Sequence, residues 1–284
     1  MSNPQPTPET PEITAAVQSI EDYWSEMARR WPWMLQQSLR PVYVLAGELQ
    51  IALTRRFPAV IHSNQARWYA RLISGTPNIY VLFPDQFQSE ARKRLGTSDP
   101  HTLEGKNAVT FLYLANIDGA AQPAKTLLIS TEQQAPMFRA QVAHELLNCA
   151  CATDWDGHVL RAGVRRVNWG TGAPAQQGGM LNDLLIDMLL LDFLPSATNY
   201  TRASLLGGAQ GPYWQIAGAL SQKVPQPIAV NALFGTDADR LVLAGYLGEA
   251  LERGDAAQWI DRQLADHRWD ALAEALGSDT AESI

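Results

Sequence analysis

The spacing of apolar residues changes along the chain, and the change predicts helix, then strands, then helices again. After a polar, proline-rich tail over 1–12 that reads as disordered, Val17, Ile20, Tyr23, Trp24 and Met27 recur at helical spacing. They predict an amphipathic helix from Ile13 to about Trp31, ended by Pro32. "PVYVLAGELQIAL" (41–53) fits strand or helix, whereas "SNQARWYARLI" (63–73) reads as a helix capped by Ser63 or Asn64. Three strand-like runs follow: "NIYVLF" (78–83), "AVTFLYLA" (108–115) and "KTLLIS" (125–130). The turn-rich "NIDGAAQPA" between the last two suits a hairpin-like or short-loop connection.

Helical periodicity returns with "TEQQAPMFRAQVAHELLNCA", where Thr131 is placed as a cap and Pro136 near the first turn. A short β-like piece, "HVLRAGVRRVNW", and the glycine-rich "GTGAPAQQGG" (170–179) lead to a nearly all-apolar helix that begins near Leu181 and stops before Pro195. Beyond residue 200 the pattern predicts helices at "YWQIAGAL", "IAVNALF", "DADRLVLAGYLGEAL" and "AAQWIDRQLADHRWDALAEAL". Sheet first and helices second is an α+β order. Three parts are expected after the tail: an α/β part over 13–135, two motif helices over 136–199, and a helical part over 200–284.

Composition narrows the function classes. At 284 residues and a formal charge of −7, the chain has enough apolar content for a real core and no basic face for nucleic acid. The basic groups Arg29–Arg30 and Arg92–Lys93–Arg94 read as solvated faces. The most apolar segment is interrupted by Asp183, Asp187 and Asp192, which predicts a buried helix and no membrane span. No secretory signal pattern opens the sequence, and the two cysteines, Cys149 and Cys151, point about 200° apart on a helix. Both features point to a reducing, cytoplasmic setting.

The candidate chemistry lies in two helices. His144 and Asn148, four residues apart, share a helix face with Glu145 at its edge, the spacing by which metalloprotease helices bring two side chains to one ion with a glutamate beside it. Asp183 and Asp187 likewise share one face of a core helix, where carboxylates cost several kcal/mol unless paired or bound to a cation. Either a metal shared with His144 or a buried network with Arg161, Arg165 or Arg202 answers that need.

"HELLN" followed by "LNDLLID" resembles the gluzincin group of zinc metallopeptidases, whose pattern is HExxH and then NExxxD on a second helix, as in thermolysin. "HVLRAGV", "GGMLND" and "ALFGTDADRL" extend the resemblance to bacterial metallopeptidase-like sequences, over roughly residues 105 to 265. The resemblance implies a zincin-like α+β fold, a zinc site and a peptide or protein substrate or partner. It matches His144 to a zinc ligand, Glu145 to the general base, Asp183 to the acidic ligand, Asp187 to the acid that orients a ligating histidine, and Asn182 to the asparagine beside the ligand.

Two positions depart from the pattern. Asn148 stands where the second histidine belongs, and an amide oxygen is a poor zinc donor; Asp183 is one methylene shorter than glutamate. Cys151, about 20° from His144 on a continued helical wheel, is one candidate substitute ligand. Asp154, at the third-ligand spacing of another zincin pattern, and His158 are two more. The expectation is a metallopeptidase-like protein with a degenerate zinc site, weakly active or a pseudoenzyme binding module. An active metallohydrolase with a substitute ligand and a helical interaction protein without cleft chemistry are the alternatives.

Overall fold

The computed structural model describes residues 40–58, 79–95, 106–117, 119–130, 138–168, 175–197 and 211–277, with the separate positions 11, 14, 15, 18, 22 and 103. It is a mixed α+β protein, mostly helical among the described residues. The chain divides into two compact units, one of residues 1–109 with 127–146, the other of 110–126 with 147–284.

In the first unit the ambiguous 41–53 run is helical: α1 spans Arg40–Arg56 and buries Leu45, Leu49 and Leu53 at four-residue spacing. Strand β1 (Ile79–Leu82) pairs in parallel with the end of a later strand, β3 (Ala120–Ser130), Ile79 opposite Leu127 and Leu82 opposite Ser130. Between them in sequence lies α2 (Pro84–Leu95), a helix the hydrophobic pattern does not reveal because only Phe87 and Ala91 are buried. Proline at its first position, Asp85 in the first turn and Arg92, Lys93 and Arg94 in the last mark it by end chemistry instead. β2 (Ala108–Ile117) and β3 (Ala120–Ser130) are each divided between the two units; they are neighbours in the order β1-β3-β2, joined through Gly119 at φ +83°. The expected hairpin-like connection is therefore present, with β3 beginning five residues before "KTLLIS".

Helix α3 (Phe138–Ala150) carries the first motif and is split between the units, His144 and Glu145 grouping with the first and Asn148 with the second. The expected caps Thr131 and Pro136 lie outside the described residues, as do the 63–73 segment and most of the 13–31 segment, of which 14, 15, 18 and 22 are helical.

The second unit adds a four-stranded antiparallel sheet, β4 (Thr153–Trp155), β5 (Val159–Ala162), β6 (Arg165–Asn168) and β7 (Ala175–Gln177), in sequence order. Only its middle hairpin is anticipated by "HVLRAGVRRVNW". Helix α4 (Gly179–Ala197) begins two residues earlier than expected and runs through Pro195. Then come α5 (Gly211–Lys223), α6 (Gln226–Phe234) and α7 (Asp237–Ala250). The last expected helix is two, α8 (Ala256–Ala265) and α9 (Trp269–Leu276), because His267 takes φ +55° and breaks the ladder. α4 is the centre of this unit: residues 184–186, 189 and 190 are essentially inaccessible, and helices α5, α6 and α8 pack on it.

Candidate functional site

Helix α3 ends at Ala150, where a lysine closes it. Lys125, 2 % exposed on β3, donates through Nζ to the carbonyls of Asn148 (2.7 Å), Cys149 (3.1 Å) and Cys151 (2.9 Å). An ammonium has three donors, and here three carbonyls at the negative end of a helix take them. The chain then turns: Cys151 N–H still bonds Leu147 O at 3.0 Å, but Ala152 N–H bonds Leu233 O at 2.9 Å on α6.

This end corrects the helical-wheel placement of Cys151 and sets Asp154 on a strand. Cys151 lies past the helix, buried at 3 % exposure, and Asp154 lies on strand β4 with its side chain exposed. Asp154 and Asp156 both face Arg161, at 3.5 and 2.9 Å, and His158 is exposed on the same turn. Asp156 accepts the backbone N–H groups of Val159 and His158, which, with Arg161, lower its pKa to about 2.

The β5–β6 turn meets α4 at Gly163. This glycine sits at φ +59°, and a Cβ there would lie 2.2 Å from Asn182 Oδ1 and 3.3 Å from Cys151 Sγ. With no side chain in the way, Asn182 Oδ1 accepts the Val164 N–H at 3.1 Å while its Nδ2 donates to Asn148 Oδ1 at 3.4 Å. Asn182 is 0 % and Asn148 5 % exposed, so this amide pair is made inside the protein. It joins Asn148 on α3 to Asn182 on α4.

The two motif aspartates of α4, Asp183 and Asp187, meet different protein partners. Asp183 is held by Arg165 of β6 at 3.1 Å, one of the arginines named as an alternative to a metal. Asp187, itself buried, accepts the hydroxyl of Tyr213 on α5. Burial first, and then the charges of Asp187 and Asp183, push the Tyr213 pKa well above its usual 10.0. Tyr213 also meets Trp214 and Trp269 edge-on, with ring centroids 6.0 and 6.1 Å apart.

The structure thus joins Asn148 to Asn182 and gives Asp183 and Asp187 an arginine and a tyrosine. His144 and Glu145 lie half-buried one turn before Asn148 on α3. Among the described residues no group of three or more His, Cys, Asp or Glu side chains is placed to hold a metal ion. Asn148 Oδ1 accepts an amide N–H and Asp183 pairs with a guanidinium, so both have protein partners where the resemblance expects zinc donors. Sequence reasoning missed Lys125, Gly163 and Tyr213. Only the glycine, in "RAGVRR", carried a signal, as a turn residue between two strand-like runs.

What the fold and these contacts define is a mixed α+β protein with a polar junction between two motif-bearing helices. No helix among the described residues is long and apolar enough to cross a membrane. No family model, curated protein or solved structure matches the chain.

Proposed function

We propose that the chain is a metallopeptidase-like, zincin-type protein that has exchanged its metal site for hydrogen bonds and serves as a binding module for a peptide or protein. The observation that supports this reading is the buried Asn148–Asn182 pair; Asn148 stands where the resemblance expects the second metal-ligating histidine. A ligand residue replaced by a neutral amide and turned onto a neighbouring helix keeps the two helices in register without a cation. The Arg165–Asp183 and Tyr213–Asp187 contacts support it, because each neutralises or satisfies a carboxylate that a zinc site would need in its own service. In such a module Glu145 has no metal-bound water to activate, and its role falls to contact with the partner.

Metal analysis of protein purified without a metal-affinity tag, together with a peptide-hydrolysis assay, tests this. The expected outcome is less than stoichiometric zinc and no hydrolysis at added micromolar zinc. Stoichiometric zinc that disappears in His144→Ala would overturn the proposal and favour a hydrolase completed by another ligand.

A further inference from the structure

Helix α4 lacks the N-terminal cap that its sequence position calls for. Its capping residue is Gly178, since the Asn182 N–H closes the first helical turn on Gly178 O at 3.0 Å. No serine or aspartate can stand there: Gly178 sits at φ +71°, and a Cβ would come within 2.6 Å of Val164 O. The third residue of the helix, Leu181, is apolar and 2 % exposed, so it cannot supply the reciprocal half of a capping box either.

Both vacant roles are filled by one carboxylate from far along the chain. Asp261 of α8 accepts the Gly178 N–H through Oδ2 at 2.9 Å and the Leu181 N–H through Oδ1 at 3.1 Å. These are the same two backbone donors that a local capping box satisfies, and the negative charge also suits the positive end of the helix. The next residue after this clamped turn is Asn182, whose amide must reach both Val164 and Asn148.

We infer that Asp261 is the positioning residue for the α4 end of the candidate site: it caps α4 in place of a local residue and so fixes where Asn182 meets Asn148. The functional weight of this inference rests on the proposed reading of that amide pair as the tie between the motif helices; the capping itself does not. The site is then incomplete without helix α8, although α8 contributes no residue to the amide pair.

The test uses the full chain with Asp261→Ala, Asp261→Asn and, as a control on the same part of the fold, Asp255→Ala, whose carboxylate pairs with Arg253 and Arg262. Amide hydrogen exchange reads Gly178 and Leu181, and the side-chain NH₂ resonances read Asn182. Asp261→Ala is expected to speed exchange at both amides about tenfold, the size of a lost cap, and to shift the Asn182 signals. Asp261→Asn, with one acceptor oxygen left, should restore protection at one amide, and Asp255→Ala should change neither readout. Faster exchange with unmoved Asn182 signals in Asp261→Ala would overturn the positioning role. Where the alanine variant does not fold, unchanged protection and unchanged Asn182 signals in Asp261→Asn overturn it instead. Zinc content measured on the same wild-type sample separates the two ideas, since bound zinc would sink the metal-free reading and leave these amide readouts standing.

Discussion

The C-terminal end of α3 and the N-terminal end of α4 face the same physical problem, and the protein meets it with opposite charges. Every helix leaves carbonyls unsatisfied at one end and N–H groups at the other. At α3 a buried ammonium, Lys125, takes three acceptors; at α4 a carboxylate, Asp261, takes two donors. Each sign complements the helix dipole at its end. The difference is in depth and reach. Lys125 is almost wholly buried and comes from a strand 23 residues before Asn148, whereas Asp261 comes from a helix 80 residues beyond Leu181. The motif helices are thus fixed by charged residues outside both motifs, and the deeper of the two clamps is the one expected to matter more to stability.

Substitutions can break that ranking. Lys125→Ala strips a charged donor from three carbonyls in the interior and should destabilise by about 3–5 kcal/mol in urea unfolding. A loss under 1 kcal/mol would mean that water replaces the ammonium, and α3 would not be held as described. Gly163→Ala should come next, at roughly 2–3 kcal/mol, because it forces a Cβ against Asn182 Oδ1 from a left-handed backbone. It tests the junction between the two clamped ends, and no change in melting temperature would show that the turn adjusts freely. Asp261→Ala should cost about 1–2 kcal/mol, the range of a lost N-cap. A larger loss than that of Lys125→Ala would invert the comparison.

The smallest effect is expected from pH. Tyr213 titrates well above 10.0 in the folded chain, so the folded state holds its proton more tightly than the unfolded state. Its contribution to stability is complete below pH 10 and declines as pH rises above that value. Denaturation measured from pH 9 upward should therefore show a falling limb that Tyr213→Phe flattens. An identical slope in the variant would place the alkaline sensitivity elsewhere.

Much of the secondary structure was legible because burial imposes a period. The three strand-like runs, the α3 motif helix and the apolar α4 were visible in the spacing of residues such as Leu127, Leu146 and Leu184. The period fell silent where little is buried, as in α2, or where one backbone angle decides, as at His267, which splits the last long helix in two. It also misled beyond Ala150, where a wheel drawn through Cys151 continued a helix that the Lys125 clamp and the Ala152–Leu233 hydrogen bond had already ended.

The candidate site divides in the same way. His144, Glu145, Asn148, Asp183 and Asp187 were singled out by residue type and spacing, because side chains four apart on a helix share a face whatever the fold, whereas Asn182 entered only through the resemblance. The need of the Asp183–Asp187 face for partners was likewise evident, since a core helix does not bury carboxylates alone. Which partners they take was decided only by the tertiary structure. Arg165 arrives on a β-hairpin, Tyr213 on α5, Lys125 on a strand that precedes both motifs, and Asp261 from helix α8. Periodicity is a local property of the chain, whereas a charge finds its counter-charge through space, and no spacing along the sequence encodes that distance.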